Sequence, residues 1–194
     1  MGTINMTLQN DIFKAVSVMK RGGVILYPTD TVWGIGCDAT SSDAVRRVYE
    51  IKRRSDSKAL ISLVSDIDML ERFVGNIPSS VADFLKKSDR PTTVVYPSCR
   101  LLAPELLADD GSAGIRVTSE IYSRGLCQEL GVPVVSTSAN ISGEPAPALF
   151  SEISEEIISA VDYVADFRRD DSTVSAPSRV VKLNSDGSFI ILRP

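Results

Sequence analysis

The sequence predicts a single α/β domain, residues 1–194, built on a mixed sheet. Three observations carry this. Apolar residues at helical spacing alternate with short β-branched runs along the whole length. No internal repeat or linker-like stretch divides the 194 residues, a length that suits one sizeable domain. The last two runs, Arg179 to Leu183 and Ser188 to Leu192, flank Asn184-Ser185-Asp186-Gly187 as a hairpin, which adds an antiparallel pair to the sheet.

The elements follow in order. Leu8, Ile12, Phe13, Val16 and Met19 lie at helical spacing over residues 8 to 20, and Gly22-Gly23 ends the run. Val24 to Tyr27 is an apolar strand closed by Pro28. Ser41 or Ser42 caps a helix carrying Val45, Val48, Tyr49 and Ile51. Its end delivers Lys52 and Arg54, where the helix dipole favours cations. Leu60 to Val64 reads as a buried strand, Asp66 as a cap for the next helix, and Ser79 or Ser80 as the start of another. Thr92 to Tyr96 and Gly114 to Val117 are strands, the second carrying Arg116. Ile121 to Leu130 is a helix closed by Gly131; Val134-Val135 is a strand that enters Ser136-Thr137-Ser138-Ala139-Asn140. Ile153 to Val161 is a helix and Tyr163 to Ala165 a strand, with a polar loop over 166 to 178.

Composition narrows the function. Hydrophobic residues make up 43% and charged residues 24%, an ordinary globular balance that argues against disorder. A net charge of −4 argues against a protein that coats nucleic acid non-specifically. No apolar run reaches membrane-span length, and no secretion signal is visible. Cys37, Cys99 and Cys127 form no paired pattern, which points to a reducing cytoplasm. Histidine is absent, which excludes histidine triads, histidine bases and histidine-ligated metals. Catalysis must then rest on positioning, carboxylates, cations or a metal carried by the substrate.

Four stretches could carry chemistry. Thr29-Asp30-Thr31 follows a strand and is either a hydroxyl-capped turn or a ligand cradle at a strand end. Gly34-Ile35-Gly36-Cys37-Asp38-Ala39 fits G-x-G-x-x-A only loosely, because the next helix starts too late for a dinucleotide fingerprint; glycines for a bend or close packing explain it better. Lys52-Arg53-Arg54-Ser55-Asp56-Ser57-Lys58 packs four cations and one acid into seven residues. A charge run is usually a solvated face, but this one is pinned between a helix and a buried strand. There an arginine could hold a phosphate or carboxylate in two places, with a lysine as a point charge. Ser136 to Asn140, with Ser142-Gly143, offers more small donors and acceptors than one helix cap needs. No P-loop is present, so any nucleotide is held in another way. Cys37 lacks a base to activate it and reads as a core residue.

In this order the stretches resemble the YrdC/TsaC family, the threonylcarbamoyl-AMP synthases. The likeness rests on GGVILYPTDTVWGIGCDAT (22 to 40), the K-x-R cluster at 52 to 58, PTTVV (91 to 95), GIRV (114 to 117), STSANISGEPAP (136 to 147), Ser178-Arg179-Val180-Val181 and the terminal ILRP. The first stretch and STSAN are specific; the rest are weak alone but correctly ordered. The resemblance implies a single YrdC-like α/β domain with a twisted mixed sheet flanked by helices around a large basic cavity. It implies a nucleotidyltransferase that joins L-threonine, bicarbonate and ATP, with Mg2+ carried on the ATP, into threonylcarbamoyl-AMP and pyrophosphate. The product would pass to the tRNA threonylcarbamoyl transferase machinery, and a contact with tRNA or double-stranded RNA would fit that setting. By the same resemblance Lys52 and Arg54 are the catalytic cations, and with Lys58 they surround the ATP phosphates. Thr31, Arg116 and Thr137 take threonine or its carbamate. Thr93, Ser138, Asn140, Ser178 and Arg193 serve the nucleotide.

The sequence departs from the family pattern at Ser55, Ala59, Leu63, Thr118 and Arg179. It ends at Pro194, so the additional C-terminal domain of longer members is not expected. Two other functions compete: a YciO-like paralogue with different or weaker activity, and an RNA-binding module using the same cavity. The net negative charge counts against the second.

Overall fold

The computed structural model describes residues 2–54, 60–184 and 186–194. In chain order the elements are α1 (Gly2–Met19), β1 (Ile25–Tyr27), β2 (Gly34–Gly36), α2 (Ser42–Ile51), β3 (Ile61–Val64), α3 (Ile67–Val74) and α4 (Ser79–Lys87). Then come β4 (Thr92–Tyr96), β5 (Ala113–Val117), α5 (Ile121–Leu130), β6 (Val134–Ser138), α6 (Glu155–Ala160), β7 (Tyr163–Val164), β8 (Arg179–Leu183) and β9 (Phe189–Arg193). The strands join in one sheet in the order β7-β1-β2-β6-β3-β5-β4-β8-β9. The β1–β7, β3–β5 and β4–β8 pairs are parallel and the others antiparallel. The expected mixed sheet with a terminal hairpin is therefore present.

The caps lie where short polar side chains allow them. Ser41 accepts from the Ala44 amide at the start of α2, and Asp66 accepts from the Met69 amide at the start of α3. Gly131 takes the left-handed conformation that ends α5. Helix α1 lies on α5 at Gly125, where an added Cβ would fall 2.6 Å from the Ile12 side chain. Leu8, Ile12, Ala15, Val16 and Met19 form the buried stripe of α1. Phe13, expected in that stripe, points outward and is 59% exposed, because Ala15 takes the inward register instead. No helix of the described residues is long and apolar enough to cross a membrane.

Residues 34 to 36 were expected as a bend or a close-packed stretch, and they form a strand. β2 runs antiparallel between β1 and β6. Glycine is depleted in strands, but the sheet here leaves no space for a side chain. A Cβ on Gly36 would lie 2.3 Å from the Val135 carbonyl oxygen and 2.6 Å from the Tyr27 ring. Close packing is thus the role of this glycine, and the strand setting excludes a strand-to-helix dinucleotide turn. The strand expected at Val134-Val135 runs on through Ser136 to Ser138 as β6. Cys37 and Cys127 are fully buried in the core, and burial raises both thiols, Cys127 to about 12.

Candidate functional site

The strands β1, β2, β6 and β5 bring separate loops to one place. The turn after β1 is shaped by Thr29. Its Oγ1 accepts from the Thr31 amide at 3.0 Å and donates to the Val32 carbonyl at 2.7 Å. It also lies 3.1 Å from Thr31 Oγ1. This is a hydroxyl-capped turn, and it presents Thr31 to a cavity, where the ligand-cradle reading of this stretch would place it.

That cavity has a volume of about 280 Å3. Its lining includes Thr31, Arg54, Arg116, Ser136, Thr137, Ser138, Ser178 and Arg193, with Val32, Leu60, Ile61, Ala146 and Pro177 as its apolar portion. Thr31, Arg54, Arg116, Thr137, Ser138, Ser178 and Arg193 were all read from the sequence. They arrive from the turn after β1, the end of α2, β5, β6, the loop before β8, and β9. In this structure the cavity is modest in volume.

The cation run divides three ways. Lys52, the C-cap of α2, is 2% exposed. Its Nζ donates to the Ser138 carbonyl at 2.6 Å, to the Asn140 carbonyl at 2.7 Å and to Asn140 Oδ1 at 3.4 Å. Burial, helped by the neighbouring Arg54 charge, lowers its pKa to about 8. Arg53 adopts a left-handed φ of 49° and turns outward to Glu156 at 2.6 Å. Arg54 faces the cavity. Lys58, with Ser55 and Ala59, lies outside the described residues. The Lys52 amino group therefore sits behind the cavity wall, tying the end of α2 to the segment after β6. Asn140 stands with it: its amide donates to the Ile141 and Glu144 carbonyls, which closes the following loop.

Arg116 is 2% exposed and its Nη2 lies 2.9 Å from Asp30 Oδ1. Burial pulls its pKa down, and the Asp30 carboxylate opposes that pull. The contact is an ion pair off the hydrogen-bond line, since Asp30 Oδ1 and Arg116 Nε each lack a hydrogen-bond partner. A buried guanidinium with an unused N–H beside a hydroxyl turn can receive a carboxylate. Nothing local to Asp30, read as part of a turn, signals its pairing with an arginine from β5.

Thr93, Ser178 and Arg193 form one chain. Thr93 Oγ1 lies 3.1 Å from Ser178 Oγ. Arg193 donates from Nε to the Ser178 carbonyl at 2.9 Å and from Nη2 to Ser178 Oγ at 3.1 Å. Thr93 is buried behind Ser178 and is not in the lining. The β8–β9 register shifts between Val180 and Val181, and a bulge of this kind re-aims the side chain beside it, here Arg193. Arg179, by contrast, pairs outward with Asp89 at 3.4 Å. Thr118 is buried on Ser123 at 2.8 Å. Ser136, in the lining but without an assigned role from the sequence, was signalled only by its place in the hydroxyl run.

Comparison with known proteins gives this geometry a family. The chain is 33% identical over 159 residues to the threonylcarbamoyl-AMP synthase of Xanthomonas campestris pv. campestris (strain B100), covering 80% of this chain and 85% of that protein. It is 40% identical over 141 residues to the threonylcarbamoyl-AMP synthase of Hahella chejuensis (strain KCTC 2396), covering 72% and 77%. Among solved structures, P. abyssi Sua5 complexed with L-threonine shares the fold with a TM-score of 0.86 at 24% identity, over 96% of this chain. This chain spans 54% of that longer one. The Sua5/YciO/YrdC family model, described as telomere recombination, matches residues 17–194. With that match and those relatives, the chain belongs to the Sua5/YciO/YrdC family.

Proposed function

We propose that the chain is a threonylcarbamoyl-AMP synthase. It joins L-threonine, bicarbonate and ATP, releases pyrophosphate, and supplies threonylcarbamoyl-AMP for modification of tRNA. The observation that carries this is convergence: Thr31, Arg54, Arg116, Thr137, Ser138, Ser178 and Arg193, from six separate segments, line one cavity. The relatives' shared name, threonylcarbamoyl-AMP synthase, supports the same reading. The single continuous sheet supports treating 1–194 as one domain.

The chemistry suits this lining. The threonine amine attacks bicarbonate, forming a carbamate and releasing water. A carbamate oxygen then attacks the α-phosphorus of ATP, a P–O bond forms, and the α–β bridge breaks to release pyrophosphate. No protein nucleophile is needed; the demand is alignment and charge neutralisation. Arg116, with an unused N–H, takes the carboxylate, and Thr31 and Thr137 fix its neighbourhood. Arg54 neutralises the phosphates, while Ser138, Ser178 and Arg193 serve the nucleotide side. Lys52 acts from behind, holding the Ser138 and Asn140 carbonyls so that the Ser138 segment keeps its shape.

Mg2+ would enter on the triphosphate. Among the described residues no three His, Cys, Asp or Glu side chains converge, and the hydroxyl and guanidinium donors of the lining suit phosphate oxygens better than a bare cation. Bound with ATP, it would offset charge on the leaving pyrophosphate.

The test is pyrophosphate release by the purified protein with ATP, Mg2+, bicarbonate and L-threonine. Release is expected to require threonine. Release that ignores threonine would point to the YciO-like alternative. RNA retention that falls steeply with salt and ignores ATP would favour the RNA-binding module.

A further inference from the structure

We propose that Arg168 is a positioning residue for the amino-acid end of the site, a reading that rests on the synthase function above. It braces the Thr29-Asp30-Thr31 turn against the segment following β5, so that Thr31 and the Asp30–Arg116 pair are placed before substrate arrives.

The brace has three arms. Arg168 Nη1 donates to the Thr29 carbonyl at 3.0 Å. The same nitrogen lies 3.8 Å from Glu120 Oε1, at the cap of α5 and four residues past Arg116. Nε and Nη2 close on Asp171 Oδ2 at 2.8 Å and 2.7 Å. A planar fork can serve these directions together, which a lysine ammonium cannot do with the same geometry. Its base is firmly mounted. Asp11, buried in α1, accepts from the Asp166 and Phe167 amides, each at 2.9 Å. Phe167 stacks on Tyr122 of α5 with ring centroids 5.7 Å apart.

The backbone adds a second sign. Arg168 holds a φ of 64°, a region that residues other than glycine rarely enter. A side chain kept there must be held by its contacts, and those contacts are the turn, the α5 cap and Asp171. Thr29 needs this help. Its hydroxyl is spent on Thr31 and Val32 inside the turn, which leaves its carbonyl as the handle facing Arg168.

Two variants test the idea. Arg168→Gly removes the guanidinium while glycine accepts the backbone conformation freely. Arg168→Lys keeps the charge without the fork. Arg168→Gly is expected to raise the threonine KM about tenfold, with the ATP KM and the melting temperature unchanged, and Arg168→Lys to fall between. Trp33, the sole tryptophan, is 5% exposed and directly follows the turn. Its emission, recorded without substrate, is expected to shift to the red in Arg168→Gly. Equal rises in both KM values, or a lowered melting temperature without a split between substrates, would reduce Arg168 to a structural part and overturn the proposal. Unchanged Trp33 emission would overturn it too, whatever reaction the protein performs. A parent protein with no threonine-dependent release ends the synthase reading and the threonine clause with it. The Trp33 signal then still shows whether the brace exists.

Discussion

The Lys52 ammonium lies 2.6 Å from the Ser138 carbonyl oxygen, so a residue expected at the phosphates also holds the wall that would face them. With the Asn140 carbonyl at 2.7 Å, it joins the end of α2 to the segment after β6. Removing the amine takes a buried charged donor from the Asn140 carbonyl and leaves the Ser138 carbonyl with the Asn140 amide alone. Lys52→Ala is expected to cost about 2–4 kcal/mol of stability and to lower turnover in the same protein. Arg54→Ala is expected to lower turnover with little change in stability. Denaturant melts beside the pyrophosphate assay check both. An Lys52→Ala protein as stable as the parent would remove this amine from the scaffold.

The same lysine gives stability a pH dependence. Burial first, and Arg54 second, lower its pKa from 10.5 to about 8 in the folded protein. Between these values the unfolded chain binds more protons than the folded one, so the contribution of this group to stability rises as pH rises. Below about pH 8 both states are charged and the dependence from this group flattens. Chemical denaturation at pH 7.5 and 10 is therefore expected to show the parent gaining on Lys52→Met at the higher pH. A constant difference would mean that the three oxygens around Nζ hold the charge against burial.

Asp30→Ala would leave Arg116 charged, 2% exposed and without its partner. The expected loss is about 3–5 kcal/mol. Asp30→Ala with Arg116→Met removes both charges and is expected to recover most of that stability, though not activity. A double-mutant cycle from denaturant melts measures the coupling, and additive losses would deny that the pair interacts.

Arg193 is on the edge strand β9, so its removal spares the core. Arg193→Ala is expected to raise the ATP KM about tenfold through loss of its charged donors. Its stability should stay within about 0.5 kcal/mol of the parent. Ser178→Ala, which cuts the contact to Thr93 as well, should show a smaller KM effect and a larger loss of stability. Steady-state kinetics at saturating threonine separate the two.

Much of this was legible from local pattern. Ser41, Asp66 and Gly131 end or start helices as short polar and glycine residues do. Thr31 and Ser136 to Ser138 of the hydroxyl runs, and Arg54 of the K-x-R cluster, lie in the cavity lining. What could not be read was direction. Lys52, Arg53 and Arg54 are adjacent in sequence, yet one turns into the wall, one to Glu156 and one to the cavity. That split follows from the end of α2 and the left-handed φ at Arg53, which composition does not encode. β2 was missed because glycines are poor strand formers by propensity, and the reason for Gly36 is the approach of Val135 and Tyr27. The Asp30–Arg116 and Arg168–Thr29 contacts join residues far apart along the chain, beyond the reach of any local pattern.

The two deeply buried thiols have a practical use. Cys37 follows β2 toward one end of the sheet, while Cys127 lies in α5, with its sulfur 3.3 Å from the Leu63 carbonyl of β3. Neither can meet a labelling reagent until the surrounding structure opens. Their uptake rates in native buffer therefore act as two clocks, one for each region. Matching rates would mark the molecule as opening in one concerted event, and unequal rates would show which region loosens first.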